Sequence, residues 1–204
     1  MRLGPRFARF TTDAVVRRPW LWALFRRPLA VMFDRMAEEW DVTRVTPQHM
    51  VALDAALDRV QAPPKRVLDL GTGSGAAARL MVARWPDAQV TGVDLSEQMV
   101  RQARARATSE RERYLAADAS SLPFADGSFD LVALLNMIPF FDELRRVTAP
   151  GGTLVLAFSR GPQTPIWVPF ERLRSELERR GFRSFQEIDA APGRSLVAVR
   201  EELS

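Results

Sequence analysis

Residues 66–75, RVLDLGTGSG, decide the fold of this chain. Apolar residues with one acid among them, Asp69, form a short strand that runs into Gly71, Gly73 and Gly75, and three alanines then open a helix. Glycine lets a backbone approach a ligand closely, and the first turn of a helix offers free N–H groups. The stretch therefore predicts a binding loop for a nucleotide-like ligand.

The composition is typical of one soluble globular domain. The chain has 204 residues, of which 47% are hydrophobic and 26% charged; these values suit a single compact core. It contains no cysteine and one histidine, His49, which excludes disulfides and thiolate metal sites and makes a histidine metal site improbable. We expect a cytoplasmic protein without a bound metal.

The positive charge is concentrated at the N-terminus. Residues 1–37 contain eight arginines and two acids, Asp13 and Asp34. A solvated helix face explains this pattern, and peripheral contact with an anionic membrane through the same helices is the alternative. Four arginines and two prolines interrupt the apolar residues 14–33, so we expect neither a membrane span nor a secretory signal.

Strand and helix patterns alternate after residue 62. Strands are predicted at 66–70, 89–94, 113–117, 129–135, 153–158, 182–188 and 196–200. The last two are separated by a turn alone, which favours an antiparallel pair. The prediction is an α/β fold: a doubly wound, mainly parallel sheet of seven strands with an antiparallel C-terminal hairpin.

Helices are predicted both before and between these strands. In the N-terminal part they cover 8–17, 20–27, 29–39 and 47–61, the last with Thr46 as its N-cap; later helices cover 74–84, 96–107, 140–148 and 165–180. Proline breaks define the N-terminal pieces. Residues 1–62 are therefore predicted to form a helical extension or lid, and residues 63–204 the main domain.

The glycine loop alone leaves two classes of ligand open. Gly71, Gly73 and Ala76 match the dinucleotide pattern GxGxxA, whereas Gly71, Gly73 and Gly75 match GxGxG. Asp94, at the end of the second strand, can accept hydrogen bonds from ribose hydroxyls in either class.

Four motifs in order separate the two classes. They are VLDLGTGSG, VTGVDLSEQMV, AADASSLPFADGSFDLV and RRVTAPGGTLVLAF. Together they resemble the class I S-adenosylmethionine-dependent methyltransferases, most closely the small-molecule branch. The resemblance implies a Rossmann-like fold for residues 63–204, S-adenosylmethionine as cofactor and methyl transfer to a small-molecule acceptor that the motifs do not specify.

The same resemblance implies a set of cofactor contacts. Those residues are Trp40, Asp69, Gly71, Thr72, Gly73, Gly75, Asp94, Leu95, Asp118, Ala119, Asn136 and Met137. The glycine loop would hold the amino-acid end of the cofactor, with Asp69 binding its ammonium group or ordering the loop. Asp94 would bind the ribose with Leu95 against the adenine, and Asp118 with Ala119 would hold the adenine edge.

The acceptor side departs from the family pattern. Residues 136–141, NMIPFF, form a short segment without the histidines that the family often carries there. Asn136 lies where the family lines the reacting methyl group. His49 is the candidate general base, because its unperturbed pKa suits proton transfer; Asp142 and Glu143 are further candidates, with a structural role favoured for Glu143.

Three other functions remain open on sequence grounds. Nucleic-acid methylation is disfavoured, because the segment at Asn136 lacks the Pro-Pro-aromatic sequence of amino methyltransferases. A non-catalytic cofactor- or partner-binding module would use the apolar N-terminus as an interface. An NAD(P) oxidoreductase would use the dinucleotide pattern.

Overall fold

The structure is a computed structural model that describes residues 5–202. Its centre is a seven-stranded sheet, made of β1 (Arg66–Leu70), β2 (Gln89–Asp94), β3 (Glu112–Ala116), β4 (Phe129–Leu135), β5 (Thr148–Phe158), β6 (Phe182–Ala190) and β7 (Gly193–Arg200). Their order in the sheet is β3-β2-β1-β4-β5-β7-β6. The first five are parallel, and β7 runs antiparallel to both β5 and β6. The predicted fold class is confirmed.

Helices cover both faces of this sheet. Within residues 5–202 they are α1 (Pro5–Arg17), α2 (Trp22–Met36), α3 (Trp40–Thr43), α4 (Pro47–Leu57), α5 (Ala76–Arg84), α6 (Glu97–Ala105), α7 (Phe141–Val147) and α8 (Phe170–Glu178). One apolar layer joins the sheet to α4, α5 and α6. The opposite layer joins it to α7, α8 and the buried sides of α1 and α2.

The register brings the carboxyl ends of the parallel strands to one edge. Leu70 pairs with Val93 on one side and with Leu134 on the other. Because each strand ends within a residue or two of its neighbour, the loops that follow β1 to β5 lie side by side. This is the edge where open α/β sheets bind ligands.

The N-terminal helices differ from the sequence prediction. The predicted break at Pro28 is wrong, because α2 is continuous through that residue. Pro28 removes the hydrogen bond to the carbonyl of Leu24, but both residues lie on the exposed side of the helix, where water can hydrate that carbonyl. Thr46 occupies the predicted N-cap position of α4, without a side-chain capping bond.

Two boundaries in the C-terminal half differ from the prediction by five residues. The chain joins the sheet at Thr148, five residues before the predicted start of the strand at Thr153. The last helix is shorter than the predicted 165–180, because it begins at Phe170, directly after Pro169, and ends at Glu178.

Helix α4 belongs to the core of the sheet domain, although it lies within the range predicted as an extension. Ala52, Leu53, Ala56 and Leu57 are fully buried on the sheet. Gly193 on β7 permits this packing, since a Cβ atom there would lie 2.6 Å from that of Ala52. The division of the chain at residue 62 stays a prediction. Within residues 5–202, no helix combines the length and apolar character needed to cross a membrane.

Candidate functional site

The glycine loop after β1 is held by hydrogen bonds to the neighbouring strand. Gly71 and Thr72 both donate their backbone N–H groups to the carbonyl of Val93, at 2.8 and 2.9 Å. Gly71, Gly73 and Gly75 all have positive φ angles, of 78°, 53° and 85°. Residues with a Cβ atom rarely adopt such angles, so the backbone path explains why the sequence repeats glycine here.

Asp69 lies beneath this loop. Its carboxylate is 1% exposed and accepts the hydroxyl hydrogen of Thr72 at 2.5 Å. Burial raises its pKa to about 6, although that hydrogen bond opposes the shift. These contacts support the loop-ordering alternative for Asp69 over direct binding of the cofactor's ammonium group.

Asp94 connects the loop to the next helix. One carboxylate oxygen accepts the N–H of Gly73 and the other accepts the N–H of Ser96, both at 2.9 Å. Ser96 caps α6, with its hydroxyl accepting the N–H of Met99. Burial raises the pKa of Asp94. Each of its oxygens keeps acceptor capacity for a ribose hydroxyl.

Asp118, in the loop after β3, is held by α2. Its Oδ1 accepts the indole N–H of Trp22 at 2.7 Å, and its Oδ2 accepts from Arg26 at 3.2 Å. Ser120 donates its N–H and its hydroxyl to the same Oδ1. Burial alone raises the pKa of this carboxyl, but the hydrogen bonds outweigh burial and hold its pKa below the ordinary value. An adenine amino group would have to share Oδ2 with the exposed Arg26.

The C-terminal part of α2 forms hydrogen bonds with the loop after β2 and the start of α6. Asp34 accepts the hydroxyl hydrogen of Ser96 at 2.6 Å and the N–H of Gln98 at 3.2 Å. A carboxylate at the first turn of α6 interacts favourably with that helix terminus.

Helix α3 contacts the glycine loop directly, through Trp40 and Asp41. Trp40 lies so close to Gly73 that a Cβ atom there would be 3.2 Å from the indole nitrogen. Asp41 accepts the hydroxyl hydrogen of Ser74 and forms an ion pair with Arg106 at 2.9 Å. The segment from α2 to α3 therefore crosses the loops after β3, β2 and β1 in turn.

His49 and Asn136 lie together on the acceptor side. The Nδ2 atom of Asn136 is 3.3 Å from the Nε2 atom of His49 and donates to the hydroxyl of Ser159 at 2.8 Å. The carbonyl oxygen of the same amide accepts the N–H of Ser159 at 2.9 Å. The amide nitrogen can donate to Nε2 in the neutral tautomer that carries its hydrogen on Nδ1. Burial and the nearby charge of Arg44 lower the pKa of His49.

The apolar members of the predicted site line the same edge. Leu95 and Met137 are partly buried against the core, and Ala119 is buried. A Cβ atom on Gly71 would lie 3.0 Å from the sulfur of Met137. Glycine at position 71 therefore lets the side chain of Met137 pack directly on the loop. The acceptor capacity that remains on Asp94 fits the ribose of the cofactor that the motifs imply.

The remaining acidic candidates form ion pairs with arginines. Glu143 accepts the N–H of Leu122 and pairs with Arg146, and Asp142 pairs with Arg180. Among the residues described, no group of three or more acidic or histidine side chains could hold a metal ion.

The sequence prediction missed several contributors to this edge, among them Trp22, Arg26 and Ser159. Trp22 and Arg26 are four residues apart on α2 and so share one face, which was a usable signal. Ser159 directly follows β5, the neighbour of β4, so its position beside Asn136 followed from strand order.

Comparison with known proteins identifies the family. The family model described as "Methyltransferase domain" matches residues 67–152. The malonyl-[acyl-carrier protein] O-methyltransferase of Halorhodospira halophila is 37% identical over 68% of this chain and 50% of that protein. The demethylmenaquinone methyltransferase of Thermus thermophilus is 43% identical over 52% of this chain and 50% of that protein. The chain thus spans about half the length of these two relatives.

Two further matches extend over more of the chain. A malonyl-[acyl-carrier protein] O-methyltransferase from Geobacter sulfurreducens is 33% identical over 80% of this chain and 73% of that protein. A solved S-adenosylmethionine-dependent methyltransferase from Aquifex aeolicus shares the fold, with a TM-score of 0.66, 19% identity, and coverage of 81% of this chain and 97% of that one. Together with the glycine loop and the acids at the carboxyl edge, these matches show that the chain belongs to the class I S-adenosylmethionine-dependent methyltransferases.

Proposed function

We propose that this chain transfers a methyl group from S-adenosylmethionine to a small molecule whose reacting atom must lose a proton. The observation that carries the proposal is the neutral His49 beside Asn136, at the carboxyl edge that also holds the glycine loop and Asp94. The cofactor supplies an activated methyl group on its sulfonium. The residues of the chain then have to align the acceptor and accept its proton.

Asn136 is the positioning residue in this proposal. Its φ angle of 54° and its two bonds to Ser159 fix the amide plane. The amide nitrogen faces Nε2 of His49, so the lone pair of Nε2 points at Asn136 when no acceptor is bound. At 3.3 Å the contact with His49 is long for a hydrogen bond, so an acceptor N–H or O–H can replace it and pass its proton to Nε2.

The names of the relatives offer two kinds of acceptor. Those named O-methyltransferases act on malonyl-[acyl-carrier protein], and one relative is named a ubiquinone/menaquinone biosynthesis C-methyltransferase. A carboxylate oxygen is already ionised near neutral pH, whereas a carbon or hydroxyl acceptor needs a base. The neutral His49 favours an acceptor of the second kind.

The experiment is a pH profile of the methyl transfer rate for wild type and His49→Gln. Because the pKa of His49 is lowered, the wild-type rate should rise with pH and reach half of its maximum below the ordinary histidine pKa of about 6.5. His49→Gln should lose about 10²- to 10⁴-fold in kcat/KM and lose that rise, with unchanged affinity for S-adenosylhomocysteine.

The neighbouring exposed residue offers a matched control, Gln48→Ala, which should behave as wild type. Equal rates and equal pH profiles for His49→Gln and wild type would contradict the base and favour a carboxylate acceptor. Cofactor binding without transfer to any acceptor would favour the non-catalytic module.

For the location we propose the cytoplasm, on the ground of the cysteine-free composition. Peripheral contact of the N-terminal helices with a membrane is compatible with that location. Cell fractionation followed by detection of the chain tests the location directly.

A further inference from the structure

Helix α2 has two faces of different character. Its inner face carries the buried Trp22 and Leu29. Its opposite face carries an outer stripe at helical spacing, which consists of Trp20, Leu24, Arg27, Pro28, Val31 and Arg35. Trp20 stands in the 3-10 turn just before the helix.

The apolar members of the outer stripe are largely in contact with solvent. Trp20 is 68% exposed, Leu24 64% and Val31 50%. Phe10 on α1 is 62% exposed, and its ring centroid lies 6.3 Å from that of Phe25 on α2. Single exposed apolar residues are ordinary on a protein surface, but a contiguous set marks an interaction site.

Unpaired arginines lie within and beside the outer stripe. Arg27 and Arg35 are exposed and form no side-chain hydrogen bond or ion pair with any residue in the range 5–202, and the same holds for Arg17 and Arg18. Asp13 is the one exposed acid between residues 6 and 36, and the exposed Glu38 and Glu39 follow the end of α2. The surface along residues 17–35 therefore carries more positive than negative charge.

We propose that the outer stripe docks on the surface of an anionic lipid bilayer, with α2 lying in the plane of the interface. Leu24 and Val31 would enter the boundary between head groups and acyl chains, and Trp20 suits the same depth because its ring is apolar with one polar edge. Arg27 and Arg35 reach lipid phosphates with their guanidinium groups while their aliphatic stems stay among apolar atoms.

The composition of the outer stripe favours lipid over nucleic acid. A single-stranded nucleic acid binds where aromatic rings stack on bases between basic residues. The outer stripe offers one ring, that of Trp20, and otherwise places aliphatic side chains between its arginines. Aliphatic residues bury favourably in an acyl layer but have no planar face to stack on a base.

The outer stripe lies on the side of α2 opposite to the side that contacts the carboxyl edge of the sheet, where the cofactor site is. On the inner face of α2, Trp22 donates to Asp118 at 2.7 Å, and Asp34 holds the first turn of α6. A docked α2 would bring the cofactor edge next to the bilayer. This proposal stands on the outer stripe alone and holds whether or not the chain transfers methyl groups.

The test is co-sedimentation of the full chain with vesicles of phosphatidylcholine alone and of phosphatidylcholine mixed with phosphatidylglycerol. We expect binding to the mixed vesicles only, weakened by raising the salt from about 0.1 M to about 1 M, which shortens the screening length from about 10 Å to about 3 Å. Arg27→Gln with Arg35→Gln should lose about fivefold in partition coefficient for each arginine. Leu24→Ser with Val31→Ser should lose about tenfold or more.

Two exposed residues away from the outer stripe provide matched controls. Val42→Ser replaces a valine that is 89% exposed, and Arg113→Gln replaces an exposed arginine on β3. Both should bind vesicles as wild type does, and all variants should keep the affinity for S-adenosylhomocysteine and the unfolding midpoint of wild type. If the Leu24→Ser, Val31→Ser variant fails to fold, the Arg27→Gln, Arg35→Gln variant still tests the proposal.

Three results would overturn the proposal. The first is equal binding of wild type and both double variants to the mixed vesicles. The second is loss of RNA binding in the variants without any wild-type binding to vesicles. The third is a wild-type dimer that the Leu24→Ser, Val31→Ser variant converts to a monomer, again without vesicle binding.

Discussion

Asp69→Asn tests how the glycine loop is held, because the carboxyl group of Asp69 is buried beneath the loop and titrates near pH 6. The substitution keeps the size of the side chain and an oxygen that can accept the hydroxyl hydrogen of Thr72. It removes the ionisation. Any dependence of folding on this carboxyl group should therefore disappear in the variant.

The direction of the pH dependence of stability follows from the raised pKa of Asp69. In the unfolded chain the carboxyl group has its ordinary pKa of 3.8, and in the folded chain burial raises the pKa to about 6. Between these values the folded state holds a proton that the unfolded state has lost, so this group stabilises the fold as the pH falls through about 6. The contribution is complete below the unfolded pKa and is lost as the pH rises above the folded pKa.

The size of the change in the free energy of unfolding follows from the same two pKa values of Asp69. Between about pH 8 and about pH 5 the group should add about 1.4 kcal/mol to the free energy of unfolding of wild type. The assay is urea unfolding of wild type and Asp69→Asn at both pH values, with equal m-values as the check on two-state behaviour. The difference in stability between the two proteins should shift by about 1.4 kcal/mol in favour of wild type at the lower pH.

An exposed acid provides the control for this experiment. Asp87→Asn, in the turn before β2, should follow wild type at both pH values. If the difference between wild type and Asp69→Asn is the same at the two pH values, the carboxyl group does not titrate as a buried acid beneath the loop.

Two further substitutions test the contacts at the carboxyl edge. Asp94→Ala should weaken binding of S-adenosylhomocysteine by about 1–3 kcal/mol, because it leaves the ribose hydroxyls and the N–H of Gly73 without an acceptor. Calorimetry measures this affinity, and an unchanged value would refute the assignment of Asp94. Trp22→Phe should lower the free energy of unfolding by about 1–3 kcal/mol and speed hydrogen exchange in α2, because it removes the donor to Asp118 but keeps the ring that packs at 5.1 Å from Phe140. Trp20→Phe, at an exposed position without a hydrogen bond, should change neither quantity.

The sheet and its cofactor edge were predictable because their signals are local. The strands at Gln89–Asp94 and Phe129–Leu135 have the predicted bounds, since buried parallel strands appear as short apolar runs between turns. The positive φ angles of the glycine loop likewise follow from a residue type that alone adopts them readily.

The N-terminal helices were less predictable because their course depends on distant contacts. To predict that α2 continues through Pro28, one would have to know that this side of the helix faces solvent. The bond between Trp22 and Asp118 joins residues 96 positions apart. Helical spacing shows which side chains share a face but not which loop that face will meet.

The acceptor side shows the same limit. His49 and Asn136 were each candidates on sequence grounds, but their contact across 87 positions comes from the packing of α4 against the sheet. The amide of Asn136 is fixed by Ser159, which sequence analysis had not singled out. A neutral histidine with an oriented ring therefore emerged from the structure.

The central claim is that this chain moves a methyl group from S-adenosylmethionine to a small molecule. The most direct measurement incubates the purified full chain with methyl-labelled S-adenosylmethionine and a cell metabolite extract, and follows both S-adenosylhomocysteine and label in the small-molecule fraction. If the chain is such an enzyme, both appear in equal amounts and Asp94→Ala reduces them together. Tight binding of the cofactor with neither product, across carboxylate, hydroxyl and carbon acceptors, would contradict it.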